Sequence, residues 1–133
     1  MRVRFAGYAA LFDRPDRGGD VIRQGAFARS LEGQRDVPLL WQHQPGRVIG
    51  RIELLAEDRR GLRVIAALDE GEDARRAGRL LKGGKLDGLS FGYRVTASGR
   101  SAEGLRELNA VELVEVSLVS EPMQPRARVH AVE

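Results

Sequence analysis

Apolar residues in this chain come in short runs, most of them strand-length, separated by glycine, proline or clusters of charge. Residues 3–12 set Val3 and Phe5 against Ala6, Tyr8 and Ala10, the two-residue period of a half-buried strand. Residues 37–41, 48–55 and 62–68 are further apolar runs of strand length. Residues 88–96 and 105–119 read the same way, the second interrupted near Asn109 and stopped by Pro122 and Pro125. Between them the period changes. Residues 69–82 predict a helix, with Asp69 and Glu72 as a capping box, Glu70 and Asp73 at the positive end, and Arg79, Lys82 and Gly83 closing the other end. Residues 25–31 predict a shorter helical piece in which Phe27 and Leu31 share a face, and residues 13–20 a turn-rich loop. The fold class expected from this pattern is mainly β: a closed β-barrel of about six or seven strands with one or two helices packed outside it.

Composition narrows the chemistry more than the fold. A chain of 133 residues, 42% apolar and 31% charged, has the size and make-up of one compact domain. Residues 1–133 are therefore expected as a single domain, with 121–133 as a mobile C-terminal tail after the two prolines. No apolar run is long enough to span a bilayer and no signal-peptide stretch follows Met1, so no membrane is expected. With no cysteine there is neither a thiol nucleophile nor a thiolate metal site, and neither a metal nor a cofactor is expected. Net charge is +3, from 22 basic and 19 acidic groups, but the arginines are interleaved with Asp and Glu along the whole chain. That reads as a solvated surface, and no specific nucleic acid is expected as a partner; a small basic nucleic-acid binder is the weakest of the alternatives.

Three segments can carry chemistry. His43 follows the apolar run 37–41 and precedes a Pro-Gly turn, where a rigid element hands a polar side chain to a loop. Alone it reads either as a surface histidine or as a general base, since no second histidine stands at ligand spacing. Gly88-Leu89-Ser90-Phe91-Gly92 matches the Gly-x-Ser-x-Gly nucleophile elbow, but an elbow needs a strand before the serine and a helix after it, the reverse of the order here. The flanking glycines imply close backbone approach at Ser90, to a neighbouring strand or to a substrate. In residues 113–119, alternation places Val114, Val116 and Leu118 on the core face and Leu113, Glu115, Ser117 and Val119 on the other. Glu115 is then either solvated or the partner of another group.

Taken in order, these segments resemble the prohead proteases of tailed bacteriophages, serine proteases of capsid maturation whose barrel resembles that of the herpesvirus assemblins. The resemblance runs from Phe5-Ala6-Gly7-Tyr8 through Gly25-Ala26-Phe27, the stretch holding His43 and Ile49-Gly50, and Gly88-Leu89-Ser90-Phe91-Gly92-Tyr93, to Glu115-Val116-Ser117-Leu118-Val119 and Pro122. It implies a serine endopeptidase with Ser90 as nucleophile and His43 as general base; the third member is a second histidine in the herpesvirus relatives, which here only His130 could supply by folding back, and Glu115 is the better candidate. It implies as substrate the major capsid protein or its scaffolding segment, with the protease itself as a further substrate, self-association of the protease, and a location in the host cytoplasm inside the assembling prohead. The rival within the resemblance is a non-catalytic capsid-assembly or scaffold component of the same fold. Met123-Gln124-Pro125 departs from the Ala and polar residue that commonly follow Pro122 in the family.

Overall fold

The structure, a computed structural model, describes residues 2–33 and 36–133. In chain order the elements are β1 (Arg4–Leu11), β2 (Asp20–Ile22), α1 (Ala28–Glu32), β3 (Pro38–Trp41), β4 (Gln44–Glu57), β5 (Gly61–Leu68), α2 (Glu72–Lys82), β6 (Gly88–Arg100), β7 (Arg106–Val119) and β8 (Val129–Val132). All eight strands join one sheet, in the order β2-β7-β3-β4-β5-β1-β8, with β6 laid along the other side of β7. β7 is the organising strand. It pairs antiparallel with the whole of β6, and on its other side takes β2 at 106–108 and β3 at 116–118, both parallel.

The sheet bends round a core of Phe5, Phe27, Leu39, Ile49, Leu62, Leu89, Leu108 and Leu118, each at most 2% exposed. It is not a closed barrel. β6 and the residues just before β8 touch at one bridge among the described residues, Gly88 to Arg128, with Leu89 N–H donating to the Ala127 carbonyl at 2.9 Å and Val129 N–H to that of Asp87 at 2.7 Å. The ladder stops there because the chain leading into β8 contains Pro122 and Pro125, which offer no N–H to a neighbouring strand. The strand count exceeds the expected six or seven because β2 and β8 hold only three and four residues, too short for a visible period.

Segment 121–133 lies against the sheet. Ala127 is fully buried, β8 pairs with β1, and the buried Gln124 side chain acts as a piece of strand: its Oε1 accepts the Leu11 N–H at 2.7 Å and its Nε2 donates to the Leu11 carbonyl at 2.9 Å. α2 starts two residues later than the capping box suggests. Gly71, which has no side chain to cap with, is its N-cap; the Asp69 N–H is given to the Ile49 carbonyl at 2.9 Å and is not free for the Glu72 carboxylate. Its buried side, Ala74, Ala77, Gly78 and Leu81, is small enough for close packing, and Gly78 lies against Val3. The carboxylate of Glu57 accepts the N–H groups of Gly25 and Phe27 at 3.0 and 2.7 Å, holding the turn that leads into α1. The irregularity expected at Asn109 is a bulge, since Ala110 faces Ala97 while Leu108 faces Ser98, and the strand continues through it.

Candidate active site

The pleat of β6 and β7 sets the geometry. Ser90 stands opposite Ser117, and Gly92 opposite Glu115, so these four residues form a patch on one face of the two strands. Ser90, Glu115 and Ser117 are all buried, at 7%, 7% and 0% exposure. The parity inferred from sequence changes here. Val114 is an extra residue in β7, because Leu113 faces Tyr93 while Glu115 faces Gly92, and it is 40% exposed where a core position was expected. Glu115 is correspondingly not solvated: at residues 115–119 both faces of β7 are covered.

His43 reaches this patch from the β3–β4 connection. Trp41 pairs with Gln44 around a two-residue turn in which Gln42 and His43 have φ of 50° and 61°. This is the type I′ hairpin turn, for which Asn-Gly is the usual solution, and a left-handed Gln-His pair is strained by about 1–3 kcal/mol per residue. Hydrogen bonds to β7 and its end hold it. Gln42 N–H donates to the Leu118 carbonyl at 2.9 Å, the Gln42 amide donates to Ser120 Oγ at 2.7 Å and accepts the Ser120 N–H at 3.0 Å, and His43 N–H donates to Ser117 Oγ at 3.1 Å.

The side chains then close a chain of contacts. His43 Nδ1 lies 2.5 Å from Glu115 Oε1, and the Ser117 hydroxyl donates to Glu115 Oε2 at 2.5 Å. Both carboxylate oxygens are therefore engaged, and the imidazole carries its proton on Nδ1, leaving the Nε2 lone pair free as a base. The hydrogen bond to Glu115 raises the His43 pKa above its ordinary value, desolvation opposes this, and the carboxylate charge adds to the rise. The His43 side chain stays 44% exposed, so a peptide can reach it from solvent.

The two glycines around Ser90 have separate reasons, and neither is a left-handed backbone. A Cβ on Gly88 would lie 2.4 Å from the Val119 carbonyl oxygen; one on Gly92 would lie 2.5 Å from Glu115 Oε1. The Gly-x-Ser-x-Gly match is thus two close strand contacts and not an elbow. Of the three residues singled out from sequence, Glu115 and His43 are in direct contact and Ser90 shares the face and cross-strand row of Ser117. His130 is elsewhere, its ring centroid 6.0 Å from that of Tyr8. Sequence reasoning missed Gln42, Ser117 and Ser120 as supports of His43. A Gln-His pair between two apolar runs gives no turn signal, and Ser117 was visible only as a same-face neighbour of Glu115.

The profile of the family described as Caudovirus prohead serine protease matches residues 1–133. The prohead protease of Enterobacteria phage HK97 is 30% identical over 139 residues, covering 97% of this chain and 60% of that protein, so the chain spans less than two thirds of that relative. In fold, the chain is similar to KSHV protease, solved with a hexapeptide phosphonate inhibitor, at a TM-score of 0.68 with 12% identity, over 100% of this chain and 65% of that one. It is also similar to the bacteriophage T4 capsid assembly protease at a TM-score of 0.68 with 14% identity, over 87% of this chain and 80% of that one.

Proposed function

The chain belongs to the Caudovirus prohead serine protease family, and on that premise we propose that it is a serine endopeptidase in which Ser90 is the nucleophile, His43 the general base and Glu115 the group that orients the imidazole. The observation carrying this reading is the 2.5 Å contact of His43 Nδ1 with a buried carboxylate, made beside the strand pair that holds Ser90. Nε2 of the neutral imidazole takes the Ser90 proton as Oγ attacks the scissile carbonyl. The imidazolium then gives that proton to the leaving amine as the tetrahedral adduct collapses to the acyl-enzyme. Water, deprotonated by the same nitrogen, releases the acid and restores Ser90. Glu115 keeps its charge throughout and stabilises the imidazolium. Ser117 fixes the carboxylate and the His43 backbone together.

The substrate proposed is the scaffolding part of the major capsid protein, cut inside the assembling prohead, with self-cleavage as an accompanying reaction. The HK97 and T4 relatives, a prohead protease and a capsid assembly protease, support this class of substrate. Confinement at high local concentration lets a weak binder work. Two measurements test the proposal. A fluorophosphonate probe is expected to label Ser90 in the native protein and not in His43→Ala. Coexpression with the major capsid protein is expected to shorten the latter, read by mass spectrometry, and Ser90→Ala to abolish this. Undiminished processing by Ser90→Ala refutes the assignment; a folded protein that takes no probe and cuts nothing instead has the non-catalytic assembly role.

A further inference from the structure

Six of the twenty arginines are already neutralised on this surface. Arg4, Arg23, Arg47, Arg94, Arg106 and Arg128 each pair with a carboxylate at 2.5–3.1 Å. One place is different. A pocket of about 240 Å³ is lined by Leu11, Phe12, Arg14, Arg59, Arg60 and Arg126, with no carboxylate in its wall among the described residues. The four arginines come from three separate segments: the loop after β1, the β4–β5 turn and the chain before β8.

These segments are held together by contacts that do not use the guanidinium groups. Buried Gln124 ties the chain before β8 to both backbone groups of Leu11, and Phe12 N–H donates to the Arg60 carbonyl at 2.9 Å. The neighbouring carboxylates are engaged elsewhere. Asp13 pairs with Arg23 at 3.0 Å, and Asp58 accepts from the Tyr8 hydroxyl and from the N–H groups of Arg60 and Gly61. Arg60 also lies over the Tyr8 ring, 5.1 Å from its centroid. Four like charges around one concavity repel each other, and an anion in the pocket relieves that repulsion while accepting paired N–H bonds from the guanidinium forks.

We propose that this pocket binds the carboxylate side chains of an acidic peptide segment. A peptide fits better than a nucleic acid because the unneutralised charge is confined to one small concavity, whereas a strand of phosphates needs an extended basic track. The inference does not depend on the reaction proposed above, since binding is measured without cleavage.

The test is fluorescence anisotropy with a labelled short polyglutamate peptide, a polyglutamine peptide of the same length, and a single-stranded DNA oligonucleotide. Polyglutamate is expected to bind at low salt and polyglutamine not. Arg14→Gln with Arg59→Gln is expected to weaken polyglutamate binding by about tenfold or more. Arg29→Gln with Arg75→Gln, which removes the same charge from exposed arginines outside the pocket, is expected to change it by less than about twofold. Equal losses in the two double variants mean net charge alone and overturn the proposal, as does a failure of polyglutamate to bind. DNA bound more tightly than polyglutamate, and weakened by the pocket variant, reassigns the pocket to nucleic acid.

Discussion

Gly92→Ala is a small change with a large expected consequence. The backbone at Gly92 does not need glycine for its φ, so the added methyl acts only through what it meets. It meets Glu115: Oε1 at 2.5 Å, Cγ at 3.0 Å and Cδ at 3.1 Å. Ordinary contact begins near 3.4 Å, so the carboxylate has to retreat by about 0.9 Å. Oε1 is the atom that holds His43 Nδ1 at 2.5 Å, and a retreat of that size takes the pair outside good hydrogen-bond range. Misplacement of a catalytic group by about 1 Å costs on the order of 100-fold in rate. The expected result is that loss in kcat/KM against a capsid-derived peptide, with the His43 pKa measured by NMR falling towards its ordinary value. Stability falls by about 0–2.5 kcal/mol, the overpacking cost of about 1–3 kcal/mol less the roughly 0.5–1 kcal/mol gained when Ala replaces Gly in a strand. Gly99→Ala, later in the same strand and with only Asn109 Nδ2 at 3.7 Å, is the silent control. Full activity and an unchanged His43 pKa in Gly92→Ala refute the reasoning.

Three further outcomes follow from the same contacts. Glu115→Gln removes the main cause of the raised His43 pKa; because the base must be neutral, the acid limb of the kcat/KM profile moves to lower pH as the maximum rate drops, and an unmoved limb assigns it to another group. Gln42→Ala frees the strained turn from Ser120 and is expected to lower kcat/KM by about tenfold with the fold intact by circular dichroism; an unchanged rate removes Gln42 from the support of His43. Gln124→Leu leaves the buried Leu11 N–H and carbonyl without their partner and is expected to destabilise by at least about 2 kcal/mol in urea unfolding; a loss under about 0.5 kcal/mol means that segment 121–128 is not held by this side chain.

The long elements are legible along the chain, because a strand of eight or more residues or a helix of three turns repeats its period often enough to be read. β1, β5, β6, β7 and α2 were legible for that reason, and so were the residue types of the site: a histidine after an apolar run, a serine between glycines, a carboxylate in an apolar strand. How they meet depends on contacts between distant parts of the chain. One extra residue at Val114 reverses the parity of β7 and turns Val114 outward beside a buried Glu115, and this bulge, made by an apolar residue and not a polar one as at Asn109, leaves no mark in the hydrophobic pattern. The left-handed Gln42–His43 turn, the three-residue β2 and the four-residue β8 exist because β7, β1 and Gln124 supply their hydrogen bonds from far along the chain. Local propensity carries no information about partners that distant, so neither the seating of His43 nor the ordering of segment 121–133 was written in the residues next to them.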